Sequence, residues 1–169
     1  MTGRLQVTAD DPTVVTLERM RWWHVDLLLP LEIELFGPDG LSAGAFWSEL
    51  GRPDTRHYLV ARDGAALTGY AGLCDYPDEA FVQTVAVTPS AQGRGVGDRL
   101  LAALLDEARR RRQRTVRLEV RVGNERAQRL YARHGFTRES VRRGYYQPSG
   151  EDAVMMVRRD RVLSARGAG

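Results

Sequence analysis

Apolar residues recur first at helical spacing and then at every second position, and the change of period divides the chain. Between Met20 and Phe36, Val25, Leu28, Leu29, Ile33 and Phe36 fall near a 3.6-residue repeat, which predicts a helix with one buried face. Pro30 lies inside that repeat. It has no N–H to donate and its ring crowds the preceding turn, so a split or kink at Leu29 is expected. Gly37-Pro38-Asp39-Gly40 reads as a breaker. Ser42 to Leu50 predicts a short second helix, capped by Ser42, with Phe46 and Trp47 on its buried side. Ahead of these, Thr13 to Leu17 predicts a first strand and residues 1–13 a disordered leader. Ser164 to Gly169 looks frayed, which leaves one domain over 14–160 and a flexible tail over 161–169.

From His57 the repeat falls to two. His57–Arg62, Leu67–Asp75 and Ala80–Thr88 predict three strands, the first two joined by the hairpin dipeptide Asp63-Gly64. A glycine-rich turn then opens a long helix with Val96, Leu100, Leu101, Leu104, Leu105 and Ala108 on one face. Thr115–Val122 predicts a strand and Asn124–His134 a helix. Phe136–Tyr145 and Ala153–Arg158 predict two closing strands around Pro148-Ser149-Gly150. This order predicts an α/β fold, a central mixed β-sheet with helices on both faces. The crossover from Phe81 to Val122 places two parallel strands at its centre.

Composition narrows the choice of function. The 169 residues, 43% hydrophobic and 28% charged, suit one globular domain. No run approaches the roughly 18 apolar residues of a membrane span. The first residues lack the order of a secretory signal, and Cys74 is the one cysteine, so the expected location is the cytoplasm. All 25 basic residues are arginine, but 22 acidic residues leave a net charge of only +3. The densest basic group, Arg109 to Arg112 with Arg114, ends a helix, where cations offset the dipole. It lacks the interleaved aromatics of a single-strand platform, and no nucleic-acid partner is expected. His24, His57 and His134 show no metal-ligand spacing, so no metal is expected either.

The chemically informative segment is Gln92-Gly93-Arg94-Gly95-Val96-Gly97, with Asp98 after it. Alternate glycines let the chain turn so that successive N–H groups face one concavity, and the helix adds its own unpaired N–H groups and positive end. Such a turn suits a pyrophosphate. It lacks the lysine of a nucleoside-triphosphate loop, and its last spacing departs from the dinucleotide fingerprint. A turn serving only tight packing is the competing reading.

Gln92-x-x-Gly95-x-Gly97 after Val85-Ala86-Val87-Thr88-Pro89 resembles the acyl-coenzyme A signature of the GCN5-related N-acetyltransferase (GNAT) family. Asn124, Ala127, the pair Leu130-Tyr131 and Gly135-Phe136 resemble that family's second signature. The resemblance covers residues 14 to 159. It implies that acetyl-CoA is the co-substrate, gripped through its phosphates by the 93–98 amides. It also implies that the central parallel strands splay apart, and that the strand edge Val85-Ala86-Val87 supplies main-chain contacts to the pantetheine arm and the thioester carbonyl. Asn124 would cap its helix and touch coenzyme A.

An amine acceptor must shed a proton, since α-amino and lysine groups are mostly cationic at neutral pH. Glu119, on a strand otherwise built for the core, is the leading base; an ion pair with Arg117 or Arg121 is the plainer reading. Tyr131 is the candidate acid for the departing thiolate, with a buried core aromatic as the alternative. Leu118-Glu119-Val120-Arg121, Arg142-Arg143-x-Tyr145-Tyr146 and the segment Glu151–Met156 resemble the ribosomal-protein alanine N-acetyltransferase (RimI-type) subgroup. That implies a protein or peptide N-terminus as acceptor, with Glu119 as base and Tyr131 as acid, and Tyr145 and Tyr146 covering its main chain. Trp22, which cannot share the core with its neighbour Trp23, is a further candidate for the acceptor groove. Asp98 stands where the subgroup has a basic residue, and Arg94 or Arg99 are the expected compensation. A small-molecule amine as acceptor, favoured by the acidic group Asp75, Asp78 and Glu79, and a non-catalytic acyl-CoA-binding module are the alternatives.

Overall fold

The computed structural model describes residues 15–160. The expected leader and tail, and the first two residues of the expected first strand, lie outside the described residues. Seven strands form one sheet in the order β1-β2-β3-β4-β5-β7-β6. They are β1 (Thr16–Arg19), β2 (Arg56–Asp63), β3 (Ala66–Asp75), β4 (Ala80–Val87), β5 (Thr115–Arg121), β6 (Thr137–Arg142) and β7 (Ala153–Arg159). Pairing is antiparallel except between β4 and β5, the parallel centre predicted from the sequence.

Each face has its own core, because strand side chains alternate. On one face α3 (Val96–Arg110) lays Leu100, Leu101, Leu104 and Leu105 on Leu59, Ala71, Leu73, Val116 and Leu118. Tyr131 and Phe136, from α4 (Glu125–Arg133) and the turn after it, close that core. On the other face Val25, Leu28 and Leu31 of α1 (Val25–Phe36) and Phe46 of α2 (Ala43–Leu50) pack on Tyr58, Val60, Tyr70 and Ala86. Truncating a fully buried leucine such as Leu104 removes about 2–5 kcal/mol of stability.

Three expectations are corrected. Of the split or kink expected at Leu29, the split does not occur. The helix runs unbroken from Val25 to Phe36, with Val25 and Leu28 fully buried; Pro30 itself is exposed, so water can serve the carbonyl that loses its partner. Trp47 does not face the core, being 57% exposed: Phe46 takes the inward position against Tyr70, and an adjacent helical residue points about 100° away. The strand expected from Phe136 to Tyr145 ends at Arg142, so Tyr145 and Tyr146 belong to the loop between β6 and β7. Ser42 caps α2 as expected, its hydroxyl accepting from the N–H of Ala45 at 3.2 Å.

The sheet opens at its centre. β4 and β5 pair only through Ala80, Phe81 and Val82 with Val116, Arg117 and Leu118. Beyond that point they diverge. Glu119 and Arg121, which alternate with the buried Leu118 and Val120, line a cleft there.

Candidate active site

At one end of the gap the main chain makes the site. Gly93 and Gly95 adopt φ of +78° and +77°, a region costly to any residue with a Cβ, and α3 starts directly after them. The first bond inside that helix runs from the N–H of Arg99 to the carbonyl of Gly95, so the N–H groups of Val96, Gly97 and Asp98 have no helical acceptor. Gln92 braces the turn by donating to the Val87 carbonyl at 3.1 Å and accepting from Arg126 at 2.9 Å. A cavity of about 540 Å3 lies over the turn, with Val85, Ala86 and Val87 along one wall and Asn124 and Ala127 along another. Asn124 caps α4, accepting from the Ala127 N–H at 3.0 Å.

Asp98 follows the turn directly. Its carboxylate is held by Arg133 and His134, each at 3.0 Å, while Arg94 reaches Asp63 at 3.5 Å. Partial burial pushes the Asp98 carboxyl up, but the hydrogen bonds from Arg133 and His134 outweigh it and hold the group below its ordinary range. Arg126, Arg129 and Arg133 also line the cavity, a row at i, i+3 and i+7 on α4. That stripe was present in the sequence and went unread. The turn, its amides and these arginines fit a polyanion such as coenzyme A, whose phosphates they would hold.

The second cavity, about 830 Å3, adjoins the first at Phe36, Val85, Asn124 and Ala127 and is built from side chains. Glu119 projects into it from β5, 19% exposed, and accepts from Arg142 at 3.2 Å and from the Tyr145 hydroxyl. The partners expected from the sequence are engaged elsewhere: Arg117 with Glu79 at 2.6 Å and with Glu139, and Arg121 with Asp39 and Glu151, each at 2.7 Å. Arg121 also lies 4.1 Å above the Tyr146 ring. Tyr145 and Tyr146 meet edge to face at 5.2 Å. Burial pushes both phenols up to about 12, helped at Tyr145 by its bond to Glu119 and opposed at Tyr146 by Arg121.

Tyr131 forms part of the opposite wall. Its ring packs 6.0 Å from Phe136, and its hydroxyl makes no hydrogen bond among the described residues. Burial, with Tyr146 nearby, pushes this phenol well above its ordinary range, so it stays protonated and able to donate. Tyr131 thus packs in the core and also lines the cleft.

Trp22 is not brought to this cleft. It is 72% exposed and lines a separate hollow of about 480 Å3 with Met20, Trp47 and Tyr58. Sequence reasoning missed Asp39, which lay in a segment read only as a breaker. Its carboxylate accepts from the Ser149 hydroxyl at 2.6 Å and from Arg121, joining the α1–α2 loop to the β6–β7 loop beside the cleft. The arginines at the end of α3 are spent on ion pairs: Arg109 on Asp106 and Asp160, Arg110 on Glu107, and Arg111 on Glu107 and Asp75. Among the described residues no group of three or more His, Cys, Asp or Glu could hold a metal ion, and no helix is long and apolar enough to cross a membrane.

Comparison with known proteins agrees with this geometry. The model of the Acetyltransferase (GNAT) family matches residues 17–136. The N-alpha-acetyltransferase RimI of Mycobacterium tuberculosis is 47% identical over 135 residues, covering 77% of this chain and 82% of that protein. The crystal structure of the ribosomal-protein-S18-alanine N-acetyltransferase from Escherichia coli superposes with a TM-score of 0.78 at 27% identity, covering 92% of this chain and all of the other. The NatC complex bound to Gag peptide and CoA has the same fold, with a TM-score of 0.76 at 18% identity over 86% of this chain and 98% of that one. The chain therefore belongs to the Acetyltransferase (GNAT) family and is an acetyl-CoA-dependent N-acetyltransferase.

Proposed function

We propose that the protein acetylates the α-amine of a protein N-terminus, of the ribosomal-protein alanine type, by direct attack with Glu119 as base and Tyr131 as acid. One observation carries this reading: the main-chain cavity for the cofactor opens into a side-chain cleft lined by a carboxylate and by a protonated phenol that has no hydrogen-bond partner among the described residues. The similarity to RimI of Mycobacterium tuberculosis and to the Escherichia coli enzyme supports the choice of acceptor.

Acetyl-CoA, when bound, supplies the activated acetyl group. The amides of residues 93–98 and the α4 arginines hold its phosphates, and the open edge of β4 at Val85–Val87 offers N–H groups to the acetyl carbonyl. Glu119 takes the proton of the incoming ammonium, directly or through water. Arg142 and the Tyr145 hydroxyl fix that carboxylate in place meanwhile. Tyr131 gives its proton to the departing sulfur, and Tyr145 and Tyr146 cover the acceptor main chain. The acidic group that favoured a small cationic acceptor is largely spent, Asp75 on Gln113 and Arg111 and Glu79 on Arg117.

Thiol release from acetyl-CoA, measured with panels of short peptides and small amines, tests the proposal. Release with peptides that begin with Ala, and not with polyamines or aminoglycosides, is the expected result. Release with small amines alone moves the acceptor to that class. Tight cofactor binding with no release from any acceptor reduces the protein to an acyl-CoA-binding module.

A further inference from the structure

The pairing of β3 with β4 slips by one residue, from Gly72 opposite Thr84 to Leu73 opposite Val82. Gln83 is left in a bulge with no residue facing it on β3. The bulge falls directly after Val82, the last β4 residue paired with β5, so Gln83 stands at the fork of the sheet and lines the cleft with Glu119 and Tyr146. Two strands away, Tyr58 of β2 is 3% exposed and passes its ring over Gly72. A Cβ at Gly72 would lie 2.4 Å from that ring, so only glycine there lets the phenol cross β3. The Tyr58 hydroxyl then donates to Oε1 of Gln83 at 2.7 Å.

With its oxygen occupied, the Gln83 amide has two N–H donors, and its nitrogen makes no hydrogen bond among the described residues. We infer that Gln83 is a specificity-determining residue, its amide N–H donating to the first peptide carbonyl of the acceptor, with Tyr58 as the positioning residue that fixes its orientation. This rests on the proposed acceptor class and deepens it. An N-terminal peptide presents donors at its ammonium and its nearest acceptor at the carbonyl of residue one. A group presenting N–H donors at the fork answers that carbonyl while Glu119 answers the ammonium. A simple alkylamine has nothing for Gln83 to hold.

The test compares an Ala-starting peptide with its trans-alkene isostere, in which the first peptide bond loses its carbonyl, in the wild type and in Gln83→Leu, Gln83→Glu and Tyr58→Phe. Calorimetry with acetyl-CoA checks that each variant folds and keeps its cofactor site. In Gln83→Leu the KM for the peptide is expected to rise about three- to tenfold, the loss of one neutral hydrogen bond, with kcat within about twofold and the isostere unaffected. Tyr58→Phe should show a smaller loss of the same selectivity, and Gln83→Glu a loss at least as large. Equal effects on both acceptors, no effect, or a lower peptide KM in Gln83→Glu would overturn the inference while leaving N-terminal acetylation standing. A wild type that binds acetyl-CoA and accepts no peptide overturns both.

Discussion

The two halves of the cleft are made of different material. Where the cofactor's phosphates would sit, the site is largely main chain, with the α4 arginines beside it: a turn with two left-handed glycines, the first N–H groups of α3, and a bare strand edge. Where the acceptor belongs, it is side chains drawn from distant parts of the sequence. Glu119 meets Arg142 and Tyr145, Asp39 meets Ser149 across 110 positions, and Tyr58 meets Gln83. The contrast matches what each half must do. A backbone cradle serves a ligand that never changes, while side chains can be exchanged to suit a new amine without disturbing the cofactor.

Mutations should separate the halves. The largest effect is expected at Glu119: Glu119→Gln lowers kcat about 10²–10⁴-fold at pH 7, the range for losing a general base, while calorimetry finds acetyl-CoA affinity unchanged. An unaltered rate removes Glu119 from its role. Tyr131→Phe should lower kcat by about 10²-fold with no change in peptide KM or melting temperature, since the ring that packs on Phe136 is kept. A drop in melting temperature instead would leave it a core residue.

Next comes the cofactor half. Gly95→Val forces a β-branched residue to φ +77°, although nothing lies within 4 Å to clash with a Cβ there. Strain of about 1–2 kcal/mol predicts an affinity for acetyl-CoA weaker by roughly tenfold in calorimetry, with kcat at saturation little changed. Equal loss in kcat would blur the division.

The smallest effect is expected at Asp39, which Ser149 and Arg121 hold below the ordinary carboxylate range. A group lowered in this way contributes its stability in full above its unfolded value and loses it as pH falls through the folded one. The loop-to-loop contact should therefore persist at neutral pH and loosen only in acid. Asp39→Asn should raise peptide KM a few-fold at pH 7, and the gap from wild type should close as the pH of the assay is lowered. A gap that stays constant would mean the carboxylate charge is not what joins the loops.

The same division explains what the sequence made legible. The strands of alternating Val and Leu, the leucine face of α3 and the glycines of the phosphate turn are local patterns with local causes, and they emerge where expected. Trp47 turns outward and α1 continues through Pro30 because tertiary packing, here Phe46 on Tyr70 and Leu28 in its core, outranks local preference. The strand expected to reach Tyr145 stops at Arg142, and the Tyr145 and Tyr146 side chains are drawn to Glu119 and Arg121 instead. Glu119 was found as a carboxylate out of place on an apolar strand. Its partner, 23 residues on, was not, because which arginine reaches it depends on how β6 and β7 fold back.

The three-residue seam between β4 and β5 has a mechanical consequence. The two parts of the sheet, β1 to β4 and β5 to β7, hydrogen-bond to each other through three residue pairs at one end, while α3 packs across both on one face. A molecule lodged between the free ends would act as the missing cross-tie. Slow amide exchange on either side of the gap should then depend on whether that tie is in place, with the protein at its most pliant between turnovers.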